Sequence, residues 1–217
     1  MRATAGQEGP LGPKPEDMTA SSSPTSQPPE TDGRRLRSEA SRARIVAAMI
    51  ELTREGYGTP PAEAVAERAG VGLRTVFRLF KDMEGLYREM QGVMLQRLAP
   101  IAAEPVIGDD WRTQLRSLIS RRGRLFEEMM PIKVAADAQR ARSPFLQREH
   151  AQFVRLQRSI ALALIPEDRL TTPQSAEMID LVMSFDTWRR LRLDQALSVE
   201  DAEAVVNRLV EAVLGAP

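Results

Sequence analysis

Cysteine is absent from the 217 residues, and histidine occurs once, at His150. Without cysteine there are no disulfides and no thiolate nucleophile or metal ligand, which fits a reducing, cytoplasmic setting. A lone histidine argues against the histidine-built metal centres of many enzymes. Aromatic residues make up only 5% of the chain. No apolar run approaches the roughly 20 residues that a bilayer-spanning helix requires, so no membrane association is expected. The first residues also lack the basic start and apolar stretch of a secretory signal. There is no glycine-rich phosphate loop, no Glu-x-x-His pair and no nucleophile motif, and Glu127 and Glu128 have no partner histidine. The chain is therefore expected to be no enzyme and to need no cofactor or metal.

Net charge is absent as well, with 30 basic and 30 acidic side chains, but the balance is uneven along the chain. Residues 1–32 carry 2 basic and 5 acidic side chains, residues 33–98 carry 12 and 8, and residues 99–217 carry 16 and 17. The positive excess thus falls on one segment, as binding to phosphates would require.

What the chain does have is helical patterning. Residues 1–33 are rich in Pro, Gly, Ser and Thr and are expected to form a disordered tail. The cluster Arg34, Arg35 and Arg37 reads either as a solvated helix lead-in or as an arm for DNA phosphates or a minor groove. A first helix is predicted over Ser38–Arg54, with Ile45, Met49 and Leu52 on its buried face. Pro60 and Pro61 suit a helix start, and Ala62–Ala69 follows with Val65, Ala66 and Ala69 inward. Gly70 can take the left-handed conformation that ends a helix. A second short helix, Leu73–Phe80, sets Val76 and Phe80 on one face and Arg74, Thr75 and Arg78 on another. That is a helix-turn-helix, whose second helix enters the DNA major groove. Asp82 can cap the next helix, which runs to about Leu98. Pro100, Pro105 and Gly108 mark a boundary. Beyond Trp111 the chain reads as helices over 110–129, 131–141, 144–165, 173–195 and 198–214, with no strand pattern.

With RARIVAAMIEL, REGYG, VAERAGV, RTVFRLF and KDMEGLYREM in register, Arg42–Leu98 resembles the DNA-binding domain of the TetR/AcrR family of bacterial transcriptional regulators. SFDTWRRLRLDQALS is similar to late helices of many such regulators. The resemblance implies an all-α fold with four parts: the tail, a helix-turn-helix domain over 34–81, a linking helix over 82–98, and an effector-binding and dimerisation domain over 99–217. It implies a double-stranded operator as partner, read by Arg42, Thr59, Arg74, Thr75, Phe77, Arg78 and Lys81. Arginine can bind guanine bidentately, whereas Phe77 stands where the family often has a phosphate-binding tyrosine. Pro60, Pro61, Gly72 and Leu73 also replace residues that commonly cap or contact phosphate.

In the C-terminal part, Phe126, Met130, Phe153, Phe185 and Trp188 are candidates for an apolar effector pocket, each with core packing as its alternative. His150 reads as a surface or capping histidine, or else as a hydrogen-bond donor to a ligand. The apolar arc of residues 173–195 is too wide for one buried face. With residues 198–214 it is expected to form a homodimer interface. The expected function is a cytoplasmic, nucleoid-associated repressor released from a palindromic operator by a small apolar ligand. The alternative is a helical DNA-binding or protein-interaction module without an effector.

Overall fold

The computed structural model describes residues 30–215, and among them helices and turns are the only regular structure. The expected tail lies outside the described residues except for its last four, which already belong to a helix. That helix, α1, is Glu30–Arg54 and begins eight residues before the predicted Ser38. The Arg-Arg-Leu-Arg run at 34–37 consists of good helix formers, so nothing halts the helix there.

The next two elements follow the sequence closely. Helix α2 is Ala62–Ala69, and Gly70 ends it at φ 61°, its N–H donating back to the carbonyls of Ala66 and Glu67. Helix α3 is Leu73–Leu79, opened by the Gly72 carbonyl accepting from Thr75 at 2.8 Å. Asp82 caps α4, Met83–Ala102, by accepting from the Gly85 N–H at 2.8 Å. Pro100 does not end α4 as expected; the helix runs on to Ala102.

Helix α5, Trp111–Arg140, is one element of 30 residues where two were expected. Pro131 removes a backbone donor in mid-helix, which costs about 3 kcal/mol. Burial on both sides offsets it: Phe126 and Met130 enter one apolar core and Ile132 the other, each contributing about 1.5–3 kcal/mol. Helix α6 is Pro144–Leu162.

The expected helix 173–195 is broken. Helix α7, Ser175–Val182, stops before Ser184, whose hydroxyl caps α8, Phe185–Arg189, by accepting from the Thr187 N–H at 3.1 Å. The same hydroxyl donates to the Leu181 carbonyl, so it competes with the helical ladder at the break. A π-helical turn, Arg190–Asp194, follows. Helix α9 is Val199–Leu214, capped by the Ser198 hydroxyl, which accepts from the Asp201 N–H at 3.0 Å.

Two cores result. The first joins Ile45, Met49, Val65, Val76, Phe80, Leu86 and Met90 from α1–α4 with Ile132, Phe145 and Leu146. The second packs α5 against α6–α9 around Leu118, Phe126, Ile179, Trp188 and Val206. Arg122 is buried beside the α7–α8 break and donates to the carbonyls of Met183 and Gln157. Burial pushes its guanidinium down to about 10.

Candidate functional site

The surface of α3 is built for an outside partner. Val76 and Phe80 are 4% exposed and fix the helix to α1 and α4. That anchoring turns Arg74, Phe77 and Arg78, spaced i, i+3 and i+4, outward together. All three are exposed, Phe77 at 58%. Lys81 is exposed just past the helix end. Among the described residues Arg74, Arg78 and Lys81 have neither an ion pair nor a hydrogen bond, and Thr75 stands half-buried beside them. Unpaired cations beside an exposed ring suit a polyanion that also offers apolar edges, as phosphates and thymine methyls do.

Arg42 and Thr59 are placed differently. Arg42 bonds the Glu89 carboxylate, donates to the Leu79 carbonyl at 3.0 Å and stacks over Phe80. It thereby ties α1 to the end of α3 and to α4. The Thr59 hydroxyl accepts from the Gln139 side chain of α5 at 2.9 Å. The Tyr87 hydroxyl approaches Thr59 without reaching hydrogen-bond geometry, and burial pushes its pKa up.

A cavity of about 270 Å³ lies between α4, α5 and α6. Its walls are aliphatic and aromatic, including Leu95, Leu98, Leu125, Met129, Phe126 and Phe153, with a polar group at Lys133, Asp137 and His150. Lys133 donates to Asp137 at 2.5 Å and meets His150 Nδ1 at 3.1 Å. Burial pulls Lys133 below the usual lysine range, while Asp137 opposes the shift. Burial, then Lys133 and Arg140, also lowers the His150 pKa. Gln91 of α4 bonds Glu149 of α6 across the space.

Residues 45–90, which span the end of α1, α2, α3 and the start of α4, match the family model described as "Bacterial regulatory proteins, tetR family". Over these residues the chain is similar to the tetR family. Solved structures carry the same fold over most of this chain. A transcriptional regulator from Rhodococcus sp. RHA1 is 18% identical, with a TM-score of 0.61, covering 80% of this chain and 96% of its own. A candidate TetR-family regulator from Rhodococcus sp. is 20% identical at TM-score 0.58, covering 82% and 100%. A TetR-like regulator from Rhodococcus sp. RHA1 is 14% identical at 0.56, covering 82% and 96%. No curated protein matches the chain.

Within this fold the aromatic candidates divide. Phe126 and Phe153 line the cavity. Met130, Phe185 and Trp188 are buried in the second core, where the rings of Phe126 and Phe185 meet edge to face at 5.5 Å. Trp188 donates its indole N–H to Glu127 at 2.7 Å. Burial opposes ionisation of Glu127, but the bonds from Arg192 and Trp188 outweigh it and hold the carboxyl below its usual range. Sequence reasoning missed Lys133, Asp137, Gln157 and the α4 wall. The signal available was the stripe Leu146, His150, Phe153 and Gln157, which places two polar residues on the inward face of α6.

On the outside, α7 leaves Met178 and Leu181 exposed, and α9 leaves Leu209 exposed. No helix among the described residues is long and apolar enough to cross a membrane.

Proposed function

We propose that this tetR-family transcriptional regulator is a homodimeric, non-catalytic repressor that acts in the cytoplasm, on nucleoid DNA, and leaves a palindromic operator when a small apolar ligand enters the α4–α6 cavity. One observation carries the reading. Helix α4 supplies Leu86 and Met90 to the helix-turn-helix core and, further along, Leu95 and Leu98 to the cavity wall. A ligand that moves the second half of α4 would then reorient α3, and differential binding to the two orientations is what shifts the population.

Arg74, Thr75, Phe77, Arg78 and Lys81 form the DNA-reading surface in this account. Arg42 and Thr59 fix its position. The exposed Met178, Leu181 and Leu209 support a dimer through α7 and α9, since an isologous contact would cover the same patch on both copies. Of the domain boundaries proposed from the sequence, 81–82 precedes α4 and 98–99 falls inside it.

The test is a selection of genomic DNA fragments on the purified protein, with sedimentation equilibrium on the enriched duplex. The expected result is an inverted repeat with half-sites about one helical turn apart, bound by two chains. Enrichment of no fragment, or binding by a single chain to a lone half-site, would contradict the reading.

A further inference from the structure

The polar groups in the cavity wall specify what the ligand must offer. Lys133 is an ammonium, with three N–H donors and no acceptor. Its contact with His150 Nδ1 at 3.1 Å therefore uses the Nδ1 lone pair, and the ring proton resides on Nε2. Among the described residues that Nε2–H has no partner. Gln157 lines the same cavity, and its Oε1 is buried with no hydrogen bond. A buried acceptor left unpaired has given up its water and gained nothing in return. His150, Phe153 and Gln157 lie at i, i+3 and i+7 on α6, so one face carries a donor and an acceptor with the Phe153 ring between them. Seven residues of helix separate the two positions by about 10 Å along the axis.

Charge narrows the class further. Lys133 and, at 3.1 Å, Arg140 both engage Asp137, and Glu149 in the same wall balances the second cation, so the polar end has no net positive charge to receive an anion. A carboxylate at His150 would also face Asp137 and Glu149. An ammonium at Gln157 would meet Arg122, which is bonded to that residue's own carbonyl. The volume, about 270 Å³, lies just below the roughly 300–1,000 Å³ usual for ligand pockets. It suits a ring system better than a long acyl chain.

We infer that the cavity selects a small uncharged molecule with a flat apolar body, a hydrogen-bond acceptor at one end for His150 and a donor at the other for Gln157. The inference rests on the effector reading above and names its ligand class.

Four related fluorophores test it by titration against the full chain: 6-acetyl-2-naphthol, 2-naphthol, 2-acetylnaphthalene and 6-hydroxy-2-naphthoate. The first should bind tightest. Loss of its acetyl or its hydroxyl group should weaken binding about three- to tenfold each, and the carboxylate should bind weakest. Gln157→Leu should erase only the advantage of the hydroxyl group, and His150→Phe only that of the acetyl group. Unchanged helical circular dichroism would confirm that both variants fold. Equal affinity for all four compounds, unaltered by either substitution, would overturn the ligand class while leaving the cavity a binding site. Failure of all four to bind would overturn it too. Binding as expected without any effect on the protein–DNA complex would uphold the ligand class and reject the effector reading.

Discussion

The outer face of α3 and the helical body behind it use the same residue types in opposite ways. On α3, Arg74 and Arg78 stand exposed with no partner among the described residues. Behind it, Arg54 pairs with Glu128, Arg68 holds Glu55 through two bonds at 2.7 and 2.8 Å, and Arg88 bonds Glu84 and stacks over Phe145. Within the body itself two glycines differ. A Cβ added to Gly92 of α4 would meet nothing within 4 Å, whereas one on Gly123 of α5 would lie 2.7 Å from the Trp188 ring. An open face with unspent donors is suited to an outside partner, and a closed body is suited to transmitting a displacement.

The largest expected effect lies on the open face. Arg78→Ala should weaken operator binding by about 1–3 kcal/mol while leaving unfolding stability within about 0.5 kcal/mol. Anisotropy titration and denaturant unfolding read the two sides. Next, Gly123→Ala should destabilise the fold by about 1–2 kcal/mol, because the clash with a buried indole exceeds the gain in helix propensity; thermal unfolding measures it.

Arg42→Ala should lower stability by about 1 kcal/mol, a figure discounted because the side chain is partly solvated. Discrimination between operator and mismatched duplexes should survive that change. Gly92→Ala should have the opposite sign and stabilise the protein by about 0.5–1 kcal/mol in the same unfolding assay.

The smallest effect is a pH dependence in the body. His150 has a folded pKa below its ordinary 6.5, so the unfolded chain binds the proton first. The stability contributed by neutral His150 is complete above 6.5 and is lost as pH falls through the lower, folded value. Melting curves from about pH 8 to about pH 5 should show this loss in the wild type and less of it in His150→Phe.

The helix-turn-helix was legible in the sequence because its signals are local. Gly70 ends α2, Asp82 caps α4, and Val65, Val76 and Phe80 keep helical spacing, so each element is specified within a few residues. The cavity was only partly legible because three helices separated in sequence enclose it. Phe126 and Phe153 reach its wall, but Phe185 and Trp188 pack with Phe126 and Glu127 in the core. Residue type alone does not distinguish those fates. Two proline signals were also outweighed. Pro131 stays inside α5 because the helix buries apolar side chains in both cores, and α4 runs through Pro100 to Ala102. The break at Ser184 depends on a hydroxyl that bonds the backbone on both sides, which hydrophobic spacing does not register.

The central claim is that the unpartnered cations of α3 read DNA while the paired ones hold the frame. It is tested most directly by fluorescence anisotropy on the selected operator, at low and raised salt, with wild type, Arg78→Ala and Arg42→Ala. The account predicts salt-sensitive binding by all three, with operator preference lost in Arg78→Ala and kept in Arg42→Ala. Preference retained by Arg78→Ala and lost in Arg42→Ala would contradict it.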